Sequence, residues 1–238
     1  MTSKIKLKIG NCFSHSNAGL VFEQLRLKSQ LLFFITALFS CIFTVNAHAK
    51  KQIQIVAFGD SLTAGYQLPP SASFPAQLEK ILKTKGYDIK ITNAGVSGDT
   101  TNGGLARFDW AIPDNTDIVI LELGANDALR GISPEQTKQN LDKTLHKLRS
   151  KGIIILLAGM KAPGSLGEEY TKAFDQIYPD LAKKYNISLY PFFLEGVALR
   201  PKLNLSDGIH PNREGVAIIV KNILPHIEAL IKQVDAQK

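Results

Sequence analysis

Residues 57–66 read AFGDSLTAGY and follow directly on the apolar run IQIV, Ile53 to Val56. A β-rich apolar run that ends in a glycine-containing turn marks the carboxyl end of a strand, which in an open α/β sheet is where ligands bind. The turn sets an acid, Asp60, beside a hydroxyl, Ser61, between two glycines. Such a turn serves several chemistries, so the other strand ends must decide among them.

Working outward, further apolar runs are predicted as strands at 89–93, 118–123, 153–158 and 188–190, joining the first at 53–58. Longer amphipathic stretches at 74–85, 100–110, 133–150, 167–185 and 212–233 alternate with them and are predicted as helices. Strands alternating with helices imply βαβ units and a parallel sheet. The runs DIVILEL and GIIILLA are apolar at nearly every position, as in central strands covered on both faces. Ser133-Pro134-Glu135-Gln136 supplies a cap, a Pro at the first helical position and an acceptor at N3. The expectation is an α/β protein: a three-layer α/β/α sandwich around a central parallel sheet of about five strands, flavodoxin-like, forming one domain over residues 50–238.

The first 49 residues differ from the rest. Lys4, Lys6, Lys8, Arg26 and Lys28 precede the apolar run Leu31 to Val45, which is followed by Ala47-His48-Ala49. A basic region, an apolar core of this length and an A-x-A site describe a signal peptide, with cleavage expected after Ala49. A retained membrane anchor is the competing reading, but fifteen helical residues span only about 22 Å of a roughly 30 Å hydrocarbon core. Lipid attachment at Cys41 is disfavoured by Phe39 and by the apolar run continuing past the cysteine. Export across the inner membrane, to the periplasm or the exterior, is therefore expected.

The 238 residues carry a formal net charge of +7, but five basic residues and one acid fall within residues 1–49, leaving +3 on the remainder. That balance is too mild to argue for nucleic acid. Both cysteines, Cys12 and Cys41, lie in the leader. The remainder thus has no disulfide, thiol nucleophile or cysteine-ligated metal site.

The loops leaving the strands carry Gly59-Asp60-Ser61-Leu62, then Gly95-Val96-Ser97-Gly98-Asp99-Thr100, then Gly124-Ala125-Asn126-Asp127. Ser206-Asp207-Gly208-Ile209-His210-Pro211 precedes the final helix. Hydroxyl, amide, carboxylate and imidazole are all directed to one rim. A serine hydroxyl is a weak nucleophile until a base takes its proton, and that base needs a partner to fix its tautomer. Taken singly, each residue has a plainer use. Ser61 can simply form a turn, His210 can be a surface histidine beside a proline, and Asn126-Asp127 can cap a helix.

The blocks GDSL, GVSGDT, GAND and DGIHP, in this order, resemble those of the SGNH, or GDSL, family of serine esterases and lipases. The similarity spans essentially all of the chain after the leader, and ELGANDALRG, IYPDLAKKY and LSDGIHPN resemble the secreted bacterial esterase, thioesterase and lysophospholipase branch. The resemblance implies a Ser61–His210–Asp207 triad and an oxyanion hole made by the backbone N–H groups of Ser61 and Gly98 and the side-chain amide of Asn126. It implies no cofactor and no metal, and a small ester, thioester or lysophospholipid as substrate, handled by a monomer. Asp60 and Asp127 are expected to hold turns rather than to catalyse. The loop from Gly159 to Gly167 is expected to border the acyl site, with Met160, Pro163 and Leu166 as substrate contacts.

Rival functions fare worse. The G-x-S-x-G elbow of ordinary α/β-hydrolases is absent around Ser61. Neither G-x-x-x-x-G-K-[ST] nor G-x-G-x-x-G occurs after Val56, which disfavours a nucleotide enzyme. His210 has no second histidine at ligand spacing. A non-catalytic binding module would be expected to have lost Ser61, Asp207 or His210, and none is missing. Among enzymes, the main rival is an esterase for acetylated carbohydrate.

Overall fold

The computed structural model describes residues 23–24, 26–29 and 51–237, of which 23–24 and 26–29 are helical. The expected leader core and cleavage point lie outside the described residues. The chain divides into two units at residues 50 and 51, and the second contains the sheet.

In chain order this unit contains β1 (Ile53–Gly59), α1 (Ser61–Ala64), α2 (Phe74–Thr84), β2 (Ile89–Gly95), α3 (Thr101–Ala106), α4 (Phe108–Ala111), β3 (Ile118–Glu122), α5 (Ala125–Leu129), α6 (Pro134–Ser150), β4 (Ile154–Ala158), α7 (Glu168–Asp175), α8 (Ile177–Tyr185), β5 (Ser188–Tyr190) and α9 (Arg213–Gln237). The five strands are parallel and lie in the order β2-β1-β3-β4-β5. This is the flavodoxin-like order, with the topological switch point between β1 and β3. The three-layer α/β/α expectation agrees with the structure.

β1 and β3 are apolar on both faces because both faces are covered. Ile55 to Phe58 and Ile118 to Leu121 are buried. Helices α2 and α9 pack against each other and cover one face, while α3, α6 and α8 cover the other. Each fully buried Ile, Leu, Val or Phe contributes roughly 1.5–3 kcal/mol of transfer free energy. The start of α6 forms as its sequence dictates: Ser133 caps Gln136 N, and Pro134 sits in the first turn.

Two predicted helices prove to be pairs. The 100–110 stretch breaks at Arg107, whose φ −95°, ψ 4° closes α3 and opens α4. The 167–185 stretch breaks at Gln176. Two short helices, α1 and α5, occupy segments read from sequence as turns.

The carboxyl ends of the three strands at the switch point are held in register, Gly59 pairing with Gly95 on one side and Glu122 on the other. A Cβ at Gly95 would stand 2.3 Å from Ala64 N and 2.7 Å from Ala64 Cα. Only glycine lets β2 end against the backbone of α1, and so this residue fixes where Ser61 stands.

Candidate active site

Asp60 and Ser61 emerge from β1 into α1. Asp60 caps that helix, its Oδ1 accepting Leu62 N at 2.9 Å, and is fully buried. Beneath it lies Glu122, the last residue of β3, also fully buried. Glu122 Oε2 accepts from Thr63 Oγ1 at 2.7 Å and from Asp60 N at 3.3 Å. Its Oε1 has no hydrogen-bond partner among the described residues. Burial, reinforced by the Asp60 charge, raises the Glu122 pKa well above the usual carboxylate range. Burial likewise pushes Asp60 up to about 6, against the opposing pull of Leu62 N–H and the Asn126 amide. Burial that raises a carboxyl in this way favours its neutral, protonated form over the anion.

His210 enters from the segment before α9. Its Nε2 stands 2.9 Å from Ser61 Oγ, and its Nδ1 stands 2.8 Å from Asp207 Oδ2. The second carboxylate oxygen of Asp207 accepts His210 N at 3.0 Å and Ile209 N at 2.9 Å. The His210 backbone N–H is the main influence holding the Asp207 carboxyl down at about 2, with Ile209 N–H and the imidazole adding to it. One tight turn therefore places carboxylate and imidazole in line with the hydroxyl, although Ser61 and His210 are 149 residues apart.

Gly98 lies at φ +84°, a left-handed conformation that disfavours side chains with a Cβ. Its carbonyl accepts Arg130 Nη2 at 2.7 Å. Among the described residues, no protein acceptor is recorded for the backbone N–H of either Ser61 or Gly98. The Asn126 amide, by contrast, is engaged. Its Nδ2 donates to Asp60 Oδ2 at 3.1 Å and to Asp99 O at 3.0 Å, which ties the ends of β1, β2 and β3 together.

Asp127 does what was expected of a turn-holding acid, accepting from Thr101 N, Thr101 Oγ1 and Thr137 Oγ1. In the loop after β4, Pro163 and Leu166 are exposed. Met160 is 2% exposed and belongs to the hydrophobic core. The structure therefore departs from the expectation that Met160 offers a surface to substrate. An apolar side chain two residues past a strand that is buried from its second residue continues into the core, and periodicity alone could have signalled this.

Two contributors were missed in the sequence. Arg107, 6% exposed, donates to Asp99 Oδ2, to Ala94 O at 2.8 Å and to Gly59 O at 2.8 Å, and its guanidinium lies 4.2 Å over the Phe58 ring. Tyr66 lies against His210, the ring centroids 4.4 Å apart. Arg107 falls in a polar helical pattern that gave no cue. Tyr66 had only its closeness to Ser61.

Residues 57–218 match the GDSL-like lipase/acylhydrolase family. The chain belongs to that family. As such it is a carboxylic ester hydrolase. This GDSL protein is 38% identical over 191 residues to an arylesterase of Vibrio mimicus, covering 80% of this chain and 91% of that one. It is 38% identical over 195 residues to thioesterase 1/protease 1/lysophospholipase L1 of Escherichia coli K12, covering 82% and 91%. The crystal structure of TesA superposes with a TM-score of 0.71 at 38% identity, covering 74% of this chain and 99% of that one. Among the described residues, no cluster of His, Cys, Asp or Glu could hold a metal ion, and no helix is long and apolar enough to cross a membrane.

Proposed function

We propose that this GDSL protein is a broad-range serine esterase that cleaves short to medium acyl and aryl esters through an acyl-enzyme. Ser61 is the nucleophile, His210 the general base and then acid, and Asp207 the orienting carboxylate. The observation that carries this reading is the unbroken relay from Asp207 Oδ2 to His210 Nδ1 at 2.8 Å and from His210 Nε2 to Ser61 Oγ at 2.9 Å. A hydroxyl so placed can lose its proton as it attacks.

In the first half, the Ser61 hydroxyl proton passes to His210 Nε2 while Oγ bonds to the acyl carbon, and the carbonyl π pair moves onto oxygen. Collapse of this intermediate breaks the bond to the leaving alcohol or thiol, which receives the proton from Nε2. In the second half, water gives a proton to Nε2 and attacks the acyl carbon. The returning proton frees Ser61 and a carboxylic acid departs. Asp207, held at about 2, stays anionic throughout and stabilises the transient imidazolium.

The oxyanion is received by the N–H groups of Ser61 and Gly98 and by the Asn126 amide. The two backbone donors have no recorded protein acceptor. Asn126 contributes by turning one N–H away from Asp60 or Asp99 as negative charge develops. Pro163 and Leu166 form the exposed wall beside the acyl chain.

The printed activities of the relatives, arylesterase and thioesterase/lysophospholipase, support a substrate range that extends to thioesters and lysophospholipids. The pattern of residues 1–49 supports export to the periplasm and cleavage after Ala49, and the enzyme is proposed to act as a monomer. The test is a panel of aryl esters from acetyl to dodecanoyl, with acyl-CoA, lysophospholipid and acetylated sugar, each run beside Ser61→Ala. Hydrolysis across several chain lengths, lost in Ser61→Ala, is expected. Cleavage of acetyl esters alone would show an acetylesterase instead.

A further inference from the structure

We propose that Tyr66 is a positioning residue for His210, covering one face of the imidazole so that the ring stays in the plane linking Asp207 to Ser61. The inference rests on the triad reading above. Three observations carry it. The Tyr66 and His210 ring centroids are 4.4 Å apart with planes inclined at 36°, within the range of aromatic contact. The Tyr66 backbone is tied to the nucleophile itself, its N–H donating to Ser61 O at 3.1 Å. The next residue, Gln67, is held at φ +56°, a left-handed conformation that a non-glycine side chain adopts only against a steric preference.

His210 needs such a contact. It sits on a segment, 206–209, that is exposed throughout, yet its own side chain is only 18% exposed. The two ring nitrogens are held edge-on by Asp207 and Ser61. Those bonds fix the edges but leave the ring free to swing outward when the Ser61 bond breaks during catalysis. Tyr66 closes that route. The phenol hydroxyl has no hydrogen-bond partner among the described residues, and the residue is 38% exposed, so it is the ring and not the hydroxyl that is engaged. When Nε2 takes the serine proton, the imidazolium lies against an aromatic face, an attraction present only while the charge exists.

The chain before Tyr66 explains the placement. Helix α1 is a single turn capped by Asp60, and the N–H groups of both Gly65 and Tyr66 bond back to Ser61 O. The same short helix that presents the hydroxyl thus turns the aromatic ring back over the base. One segment sets both partners of the proton transfer.

The experiment compares Tyr66→Ala and Tyr66→Phe with wild type in steady-state hydrolysis of an alkyl ester and in the rate of covalent labelling by a fluorophosphonate. Loss of the ring is expected to lower kcat about tenfold, the size of a partly exposed cation–π contact, and to slow labelling similarly, with KM changed less than about threefold. Restoring the ring as Phe is expected to rescue both rates to within about twofold. A Tyr66→Ala defect confined to KM would overturn the proposal and make the residue a substrate wall. Failure of Phe to rescue would overturn it by showing that the hydroxyl is what matters, and an Ala variant with wild-type kcat and labelling would end it outright. His210→Ala and Ser61→Ala run in parallel: if either keeps activity and labelling, the triad reading itself has failed, whereas inactive controls beside an unaffected Tyr66→Ala discard only the role of Tyr66. Circular dichroism melts confirm that every variant is folded.

Discussion

At the scale of single residues, the site separates groups whose charge is fixed from groups that must change partner. Asp207 keeps its charge because backbone donors hold it, so the folded protein binds its proton more weakly than the unfolded chain does. The stability it contributes is present above its ordinary value of 3.8 and is lost as pH falls through about 2. Asp207 thus remains charged wherever the enzyme is folded and active, and it does not set the acid limb of activity. Asn126 has the opposite character, since its amide is already committed to Asp60 and Asp99. On the proposed oxyanion role, Asn126→Ala is expected to lower kcat by roughly 10²–10³-fold with little change in KM, as for a donor used mainly in the transition state. Steady-state kinetics on an aryl ester checks this, and an equal rise in KM with unchanged kcat would remove Asn126 from the oxyanion site.

At the scale of elements, three strand ends are fastened together below the reacting atoms, and the fasteners are buried polar groups that sequence patterning could not show. Periodicity located every strand to within two residues and each long helix. It missed the break at Arg107, because a side chain turned inward from a polar stretch looks the same in sequence as one turned to solvent, and the break at Gln176, an exposed residue with no turn signal of its own. Arg107 joins Gly59, Ala94 and Asp99 through three donors, and lysine has neither that fork nor that reach. Arg107→Lys is expected to cost about 3 kcal/mol, which for a domain of this size lowers Tm by roughly 6–12 °C. Glu122 gives a second handle on the same junction. Its raised pKa means that the folded state holds a proton which the unfolded chain releases above about 4.5, so stability falls as pH rises through that window. Gln cannot ionise, and Glu122→Gln is therefore expected to gain stability relative to wild type as pH rises from 5 to 8. Urea midpoints at the two pH values measure it, and a constant difference between them would count against an ionising Glu122.

At the scale of the whole molecule, Ser61, Gly98 and Asn126 were legible because each follows a strand, and a parallel sheet carries all such loops to one edge, while Asp207 and His210 were legible from their three-residue spacing before the last helix. The order β2-β1-β3 then places Ser61, Gly98 and Asn126 around the switch point without further instruction. The contact of Tyr66 with His210 was not legible, because it joins two loops whose relation no local pattern encodes. Among the described residues the hydrophobic core lies within 53–234, so a chain of residues 50–238 is expected to unfold in one cooperative urea transition and to retain full esterase activity. Two transitions would show more than one cooperative unit within residues 50–238, and loss of activity would show that residues 1–49 are needed. The 149 residues between hydroxyl and imidazole also bear on biogenesis. During synthesis Ser61 emerges long before His210, and until the later segment arrives the hydroxyl has no imidazole beside it and remains an ordinary alcohol. On the proposed triad, esters that meet the unfinished chain are thereby spared, and hydrolytic power begins only once the whole domain has folded.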